Sequence, residues 1–197
     1  MANFRAIMAV SEAIVNLLRS SYMPEDFNNE LEFKVFTSKD FSTNSISNGV
    51  SLFPYRIYTN GSHRIPAGRV GSDGRPLKHK LPVELHCLVT VWGKEASLQN
   101  SLAGWIMRTL EDNAILPANL LNSVVADVFH ADETVEISLA ELTTEDLFRI
   151  WDVLGMNIYQ LSIPYVVRII EIDSMQSMPS GEGLVQQRRV KLTELEP

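Results

Sequence analysis

The residues with the clearest chemical potential are His86 and Cys87, because a histidine beside a thiol can act as base and nucleophile. Every second residue from Leu81 to Val91 is apolar, which predicts a β-strand through both positions. Neighbouring residues of a strand point to opposite faces of the sheet. We therefore expect structural packing for these side chains and no catalytic pair between them.

Acidic residues form a second group of candidates, since two carboxyl groups can share the work of a general acid and a general base. The group consists of Glu133, Glu136, Glu141, Glu145 and Asp146. It straddles a predicted strand and the start of a predicted helix, where carboxylates are stabilised by the helix dipole. This placement favours solvated faces and helix capping, so we nominate no catalytic carboxylate.

The sequence lacks the glycine-rich phosphate and dinucleotide loops, the nucleophile elbow and the His-Glu-x-x-His zinc motif. His63 and His79 flank a loop without supporting carboxylates or thiols, which makes a metal site there improbable. We expect a protein that is not an enzyme and that has no cofactor and no metal site.

A long loop rich in glycine, proline and basic residues is predicted between residues 60 and 80. Loops of this length in compact domains are usually functional or disordered. Its arginines lack the interleaved aromatic residues that would stack on bases. In a symmetric ring, each loop could lie on the acidic face of the next subunit. The candidate interface residues in this loop are Arg64, Arg69, Arg75, Lys78 and Lys80.

Composition narrows the class of protein. The chain of 197 residues has 45% hydrophobic and 21% charged residues, which is typical of one folded domain. A net charge of −7 argues against nucleic acid as the main partner. Cys87 is the only cysteine, which excludes an intramolecular disulfide and fits a reducing cytoplasm. No signal peptide and no transmembrane helix are predicted.

The elements that must position these residues follow from hydrophobic periodicity. The predicted order is helix, two strands, loop, strand, helix, strand, helix, strand. This order indicates an α+β fold, with a mixed or antiparallel sheet and helices packed on it. The strand around Cys87 is expected to be central, and Ile163–Ile172 is expected to be a buried strand of the sheet interior.

Several local features refine this picture. Asn3 is placed to cap the first helix, whose predicted buried face includes Phe4, Ile7, Met8, Val15 and Leu18. Pro54 suggests an edge or a bulge in the second strand. Gly104 is expected to permit the close approach of another element to the second helix. Thr143 or Thr144 is expected to cap the third helix, which Gly155 ends.

The composition changes after Asp173, where methionine, serine, proline, glycine and glutamine dominate. We therefore divide the chain into a domain at 1–173 and a C-terminal tail at 174–197, either flexible or docked on a partner. Apolar and polar residues alternate near the end of this tail, so the segment could add as a strand to the sheet edge of a neighbouring chain. The candidate interface residues of the tail are Arg188, Arg189, Val190 and Leu192.

Several segments occur in an order that resembles the tail-cap, or tail-terminator, proteins of extracellular contractile injection systems of the antifeeding-prophage type. The segments are Leu52–Ile57, the basic loop, Leu85–Gly93, the helix Leu147–Leu154 and Leu161–Val167. The resemblance covers roughly residues 4–173, and the succession of segments is more specific than any one of them. The tail matches no part of this pattern.

The resemblance implies a fold like that of phage tail terminators. It also implies a homo-oligomeric, six-fold ring that sits on the last layer of inner tube and sheath proteins and ends their polymerisation. Such a protein would be cytoplasmic during assembly and then part of the contractile particle.

Two alternatives stay open. One is another structural role in the same particle, such as a tail-completion protein or a baseplate adaptor. The other is a small-molecule-binding protein or enzyme that uses a cleft beside Trp92, Trp105 or Trp151. These tryptophans occupy periodic positions that favour packing.

Overall fold

A six-stranded sheet forms the centre of the computed structural model, with the strand order β1-β2-β3-β6-β5-β4. The structure describes residues 2–27, 30–43, 46–59, 80–155 and 159–174. β1 and β2 are parallel, and the other neighbouring strands are antiparallel. The sheet is therefore mixed, and the α+β prediction is confirmed.

The strands are β1 (Glu32–Val35), β2 (Gly49–Thr59), β3 (Leu81–Trp92), β4 (Ile115–Pro117), β5 (Thr134–Leu139) and β6 (Ser162–Ile172). The helices are α1 (Ala6–Ser21), α2 (Pro24–Phe27), α3 (Ser38–Ser42), α4 (Ala96–Asp112), α5 (Ala118–Leu121) and α6 (Thr144–Val153). None of the helices among the described residues has the length and apolar composition needed to cross a bilayer.

The main hydrophobic core lies between one face of the sheet and α1, α4 and α5. β3 contributes alternate residues to it, including the fully buried Leu85, Cys87 and Val89. Both β3 and β6 lie inside the sheet, as predicted from their sequences. The burial of many aliphatic side chains between these layers supplies the main stabilisation of the fold.

The buried face of α1 agrees with the prediction except at its start. Phe4 precedes the helix and is 62% exposed, and Met8 is 46% exposed. Val15 and Leu18 are buried as predicted, and Ala9 and Ala13 complete the core side. The prediction was wrong for Phe4 and Met8 because α1 is apolar on most of its circumference, so periodicity did not single out one face.

A second, smaller cluster covers part of the opposite sheet face. Phe41 of α3 packs edge-on against Trp151 of α6, with ring centroids 5.6 Å apart, and lies 5.9 Å from Trp92 of β3. The Trp92 indole N–H donates to the Ser51 hydroxyl at 2.8 Å. Trp92 and Trp151 are thus packing residues, and Trp105 lies against the main core. The short α3 was not predicted.

The end of α4 and the start of α6 agree with the sequence analysis. Asn113 follows the last residue of α4. The Thr143 hydroxyl accepts a hydrogen bond from the Asp146 backbone N–H at 3.1 Å, so Thr143 is the N-cap of α6. Gly155 follows α6 with a positive φ of 69°. Apart from the backbone of its own helix, no described residue places an atom within 4 Å of the Gly104 Cβ position, so the expected close approach at Gly104 was wrong.

Candidate assembly interface

Most of the interface residues predicted from the sequence lie outside the described residues. These are Arg64, Arg69, Arg75 and Lys78 in the basic loop, and Arg188, Arg189, Val190 and Leu192 in the tail. Lys80 lies within the described part of the chain. The positions at which the loop and the tail join the sheet are also described.

Lys80 makes contacts within its own chain. Its Nζ lies 2.5 Å from Glu171 Oε2 and 3.5 Å from Glu133 Oε1, and its side chain is 11% exposed. Burial alone would lower the pKa of Lys80, but the hydrogen bond and the negative charges of Glu171, Asp173 and Glu133 raise it overall. Lys80 therefore stays charged and ties the start of β3 to the end of β6. Because of these contacts, little of the Lys80 side chain is accessible to another protein.

The basic loop and the tail leave the sheet at the same end. Thr59, the last residue of β2, pairs with Val83, and Leu81 of β3 pairs with Ile172 of β6. The backbone N–H of Asp173 donates to the Ala2 carbonyl at 2.8 Å, which brings the start of the chain to this end as well. Both segments with predicted interface residues thus begin on one end of the domain.

The acidic residues are used locally, as the sequence analysis favoured. Asp146 belongs to the α6 cap, and Glu145 pairs with Arg149 one turn later at 2.5 Å. Glu133 accepts the His130 backbone N–H at 2.9 Å and lies beside Lys80. The carboxylates of these three residues therefore serve in capping and ion pairing.

A groove lies between the outer face of the sheet and α6. It has a volume of about 810 Å³ and includes Tyr55, Tyr58 and His86 among its lining residues. The His86 ring packs edge-on against Tyr58, with centroids 5.2 Å apart, and the Arg56 guanidinium stacks over Tyr58 at 3.7 Å. Sequence reasoning missed this aromatic surface, although Tyr55 and Tyr58 on one strand were its available signal.

The ionisable groups near this groove are not arranged as a nucleophile and base. His86 points into the groove, and burial lowers its pKa, so it is neutral at pH 7. Cys87 is buried in the main core, and burial raises its pKa to about 12. The expected placement on opposite faces is confirmed. In the described residues, no group of three or more metal-ligating side chains occurs.

Comparisons with known proteins place this fold. One solved structure is the sheath/tube terminator of PVC, an extracellular contractile injection system, in the extended state. It is 18% identical with a TM-score of 0.63, and the match covers 97% of this chain and 64% of that one. A second is the cap of the anti-feeding prophage, a tube-terminating cap. It is 20% identical with a TM-score of 0.59, and the match covers 94% of this chain and 60% of that one.

The chain thus spans about three fifths of the length of these two structures. No curated protein matches it. The model of the family described as the Pvc16 N-terminal domain matches residues 9–186. The match runs past Asp173, so the expectation that the tail fits no family pattern was wrong for residues 174–186. Because the match covers most of the 197 residues, the chain belongs to the Pvc16 N-terminal domain family.

Proposed function

We propose that the chain is a structural cap subunit that ends the inner tube and sheath of a contractile phage-tail-like particle. The observation that carries this proposal is the fold, which a sheath/tube terminator and a tube-terminating cap share over 97% and 94% of this chain. Membership of the Pvc16 N-terminal domain family supports it.

A cap of this kind works by contacts alone. One face must match the last ring of tube and sheath proteins, and the other must offer no template for a further ring. Identical subunits form a closed ring when each binds the next through a heterologous interface and the rotation from one subunit to the next closes the circle. Six subunits would match a six-fold tube. The chain then needs no catalytic residue, no cofactor and no nucleic acid.

The proposed subunit interface uses the basic loop and the tail. Arg64, Arg69, Arg75 and Lys78 supply positive charge from one end of the sheet. On the described surface, α6 and the turn before it carry exposed carboxylates at Glu141, Asp146 and Asp152. Opposite charges on neighbouring subunits fix the register of association and speed it. Lys80 is excluded from this interface because its partners are Glu171 and Glu133.

Tail residues Arg188, Arg189, Val190 and Leu192 complete the proposed interface. Assembly would take place in the cytoplasm, after which the subunit becomes part of the particle. A tail-completion protein or baseplate adaptor of the same particle would share the fold and the ring, and would differ from a cap only in its location within the particle.

One observation favours a second candidate function, the binding of a small molecule. The groove beside α6 has a volume typical of ligand sites and combines the aromatic rings of Tyr55 and Tyr58 with the charges of Arg56, Glu141 and Asp146. If this function is correct, a discrete ligand binds to the wild-type protein, and a single substitution in the groove such as Tyr58→Ala abolishes that binding.

Electron microscopy of particles from producing cells tests the cap function. Deletion of the gene should give overlong, unstable or absent particles, and the protein should be found at the end away from the baseplate in intact ones. Location at the baseplate would favour the adaptor. Normal, capped particles in the deletion strain would refute the cap and favour the ligand-binding function.

A further inference from the structure

The outer edge of β2 is only half covered. β1 pairs with Gly49–Leu52, and the Phe36 backbone N–H donates to the Leu52 carbonyl at 2.8 Å. Beyond this point, none of the described residues pairs with the outer edge of β2, from Phe53 to Thr59. An exposed row of backbone N–H and carbonyl groups is a template for another strand.

This free edge has a defined geometry. Pro54 lacks a backbone N–H and is therefore tolerated at an unpaired edge. The register shift between Pro54 and Arg56 places Tyr55 and Arg56 opposite His86, as in a β-bulge. The bulge returns Ile57, which pairs with Leu85, to the sheet face that carries α1.

Exposed apolar side chains lie on that face beside the edge. Ile57 is 52% exposed. Phe4, which precedes α1, and Met8 in its first turn were predicted to be buried but are not. A groove of about 620 Å³ is lined by α1, by the segment that joins β1 to α3 and by β2, with Phe4, Met8 and Pro54 among its lining residues. Apolar residues that follow a core pattern and flank a free edge indicate a surface that another segment covers.

The tail begins within reach of this surface. β6 and β2 both run antiparallel to β3, so both end at the same end of the sheet. With about 4.8 Å between neighbouring strands, a strand added outside β2 would lie three spacings, or about 14 Å, from β6. Residues 175–188 separate Ser174 from Arg189, and fourteen residues span up to about 46 Å.

We propose that residues 189–193 add to the free edge of β2 in the same chain, as an antiparallel strand. A chain that leaves at the end where β2 stops follows this edge by the shortest path when it turns back, which gives the antiparallel direction. The alternation in 189–193 then directs Val190 and Leu192 onto Met8 and Ile57, and directs Arg189, Lys191 and Thr193 to the opposite face.

The occupant is the tail of the same chain because a tethered segment has a high effective concentration at a site that its linker can reach. The docked strand closes an edge that would otherwise pair with other chains. In this arrangement Val190 and Leu192 are taken up within their own chain, so that of the four tail candidates only Arg188 and Arg189 remain for the proposed subunit interface. This inference does not depend on the cap function.

Disulfide cross-linking of the full-length chain tests this proposal. Ile57→Cys is combined with Val190→Cys, and separately with Leu192→Cys, since either can face position 57. The matched control is Ile115→Cys with the same tail substitutions, because Ile115 lies on the opposite edge strand β4 and is 66% exposed, somewhat more than Ile57 at 52%. Cys87 does not compete because it is buried with a pKa raised to about 12.

We expect an intrachain cross-link between position 57 and the tail that forms at least about tenfold faster than in the control. Peptide mass spectrometry identifies the link, and non-reducing electrophoresis shows whether it lies within one chain. Equal rates at positions 57 and 115 would overturn the proposal. Cross-linked dimers would overturn the assignment to the same chain and assign the edge to a second copy.

Hydrogen exchange gives an independent readout without cysteines. In the full-length chain, Val190→Asp with Leu192→Asp should speed exchange of the outward-facing Ile57 and Thr59 amides by about tenfold or more. Gln186→Asp with Gln187→Asp adds the same charge outside the proposed strand and should leave these amides protected. Unchanged exchange in both variants would contradict docking of the tail at this edge.

Discussion

Gly49 lies where β2 begins beside β1, and its φ of 149° belongs to a region that residues with a Cβ rarely adopt. A Cβ built there would lie 2.0 Å from the Glu32 carbonyl oxygen and 2.7 Å from the Glu32 nitrogen. Both are backbone atoms of a paired strand, so neither can move aside without disturbing the pairing of β1 with β2.

Replacement of Gly49 by alanine is therefore expected to lower the free energy of unfolding by about 2–4 kcal/mol, through backbone strain and the loss of β1 pairing. Urea unfolding followed by circular dichroism measures the change.

Gly104 offers a matched control, since it is exposed in the middle of α4 with nothing near its Cβ position. Alanine there should raise the free energy of unfolding by about 0.5–1 kcal/mol. A loss of stability at Gly104, or no loss at Gly49, would contradict these backbone assignments.

Lys80 shows which residue roles a sequence cannot reveal. Its position at the end of the basic loop suggested an exposed interface residue, yet its partner Glu171 lies 91 positions away. Such a contact depends on the pairing of β3 with β6, which no local pattern encodes. By contrast, the opposite faces of His86 and Cys87 followed from strand geometry alone.

At the scale of elements, α6 is held at its start by a cap that the sequence displays. The Thr143 hydroxyl accepts the Asp146 N–H at 3.1 Å and donates to the Asp146 carboxylate at 2.7 Å. Both residues lie within one turn, so local rules sufficed to predict this helix start.

Thr143→Ala should lower the free energy of unfolding by about 1 kcal/mol, because the Asp146 N–H loses its acceptor. Thermal unfolding monitors the effect. Thr144→Ala is the neighbouring control and should change stability by less than about 0.5 kcal/mol. Equal losses in both variants would show that the hydroxyl of Thr143 is not the cap.

Elements with long, regular patterns were predictable, and those defined by tertiary contacts were not. β3 and β5 were found by alternation, β6 by its run of β-branched residues that is apolar on both faces, and α4 by its periodicity. The three-residue β4 is too short for a pattern and depends on β5 for its hydrogen bonds. The parallel pairing of β1 with β2 was equally hidden, because the connection between them carries no signal for direction.

At the scale of the molecule, one end of the sheet gathers the start of the chain, both ends of the basic loop and the start of the tail. The proposed cap function would use such surfaces for contacts between subunits. If the basic loop contacts the acidic surface of the next subunit, charge in the loop controls association and leaves the fold unchanged.

Reversal of Arg69, Arg75 and Lys78 to glutamate should therefore weaken self-association by about tenfold or more, since each attraction across the interface becomes a repulsion. Analytical ultracentrifugation measures the dissociation constant of self-association. A higher salt concentration should also weaken the self-association of the wild-type protein, because salt screens the attraction between charges. Circular dichroism should show that the variant remains folded.

Lys39→Glu with Lys94→Glu and Arg108→Glu changes the net charge by the same amount at exposed, described positions outside the loop sequence. A specific interface requires that this control associates as the wild type does. Equal weakening in both variants would mean that net charge alone governs association, because a local contact responds to where a charge lies and a net-charge effect does not.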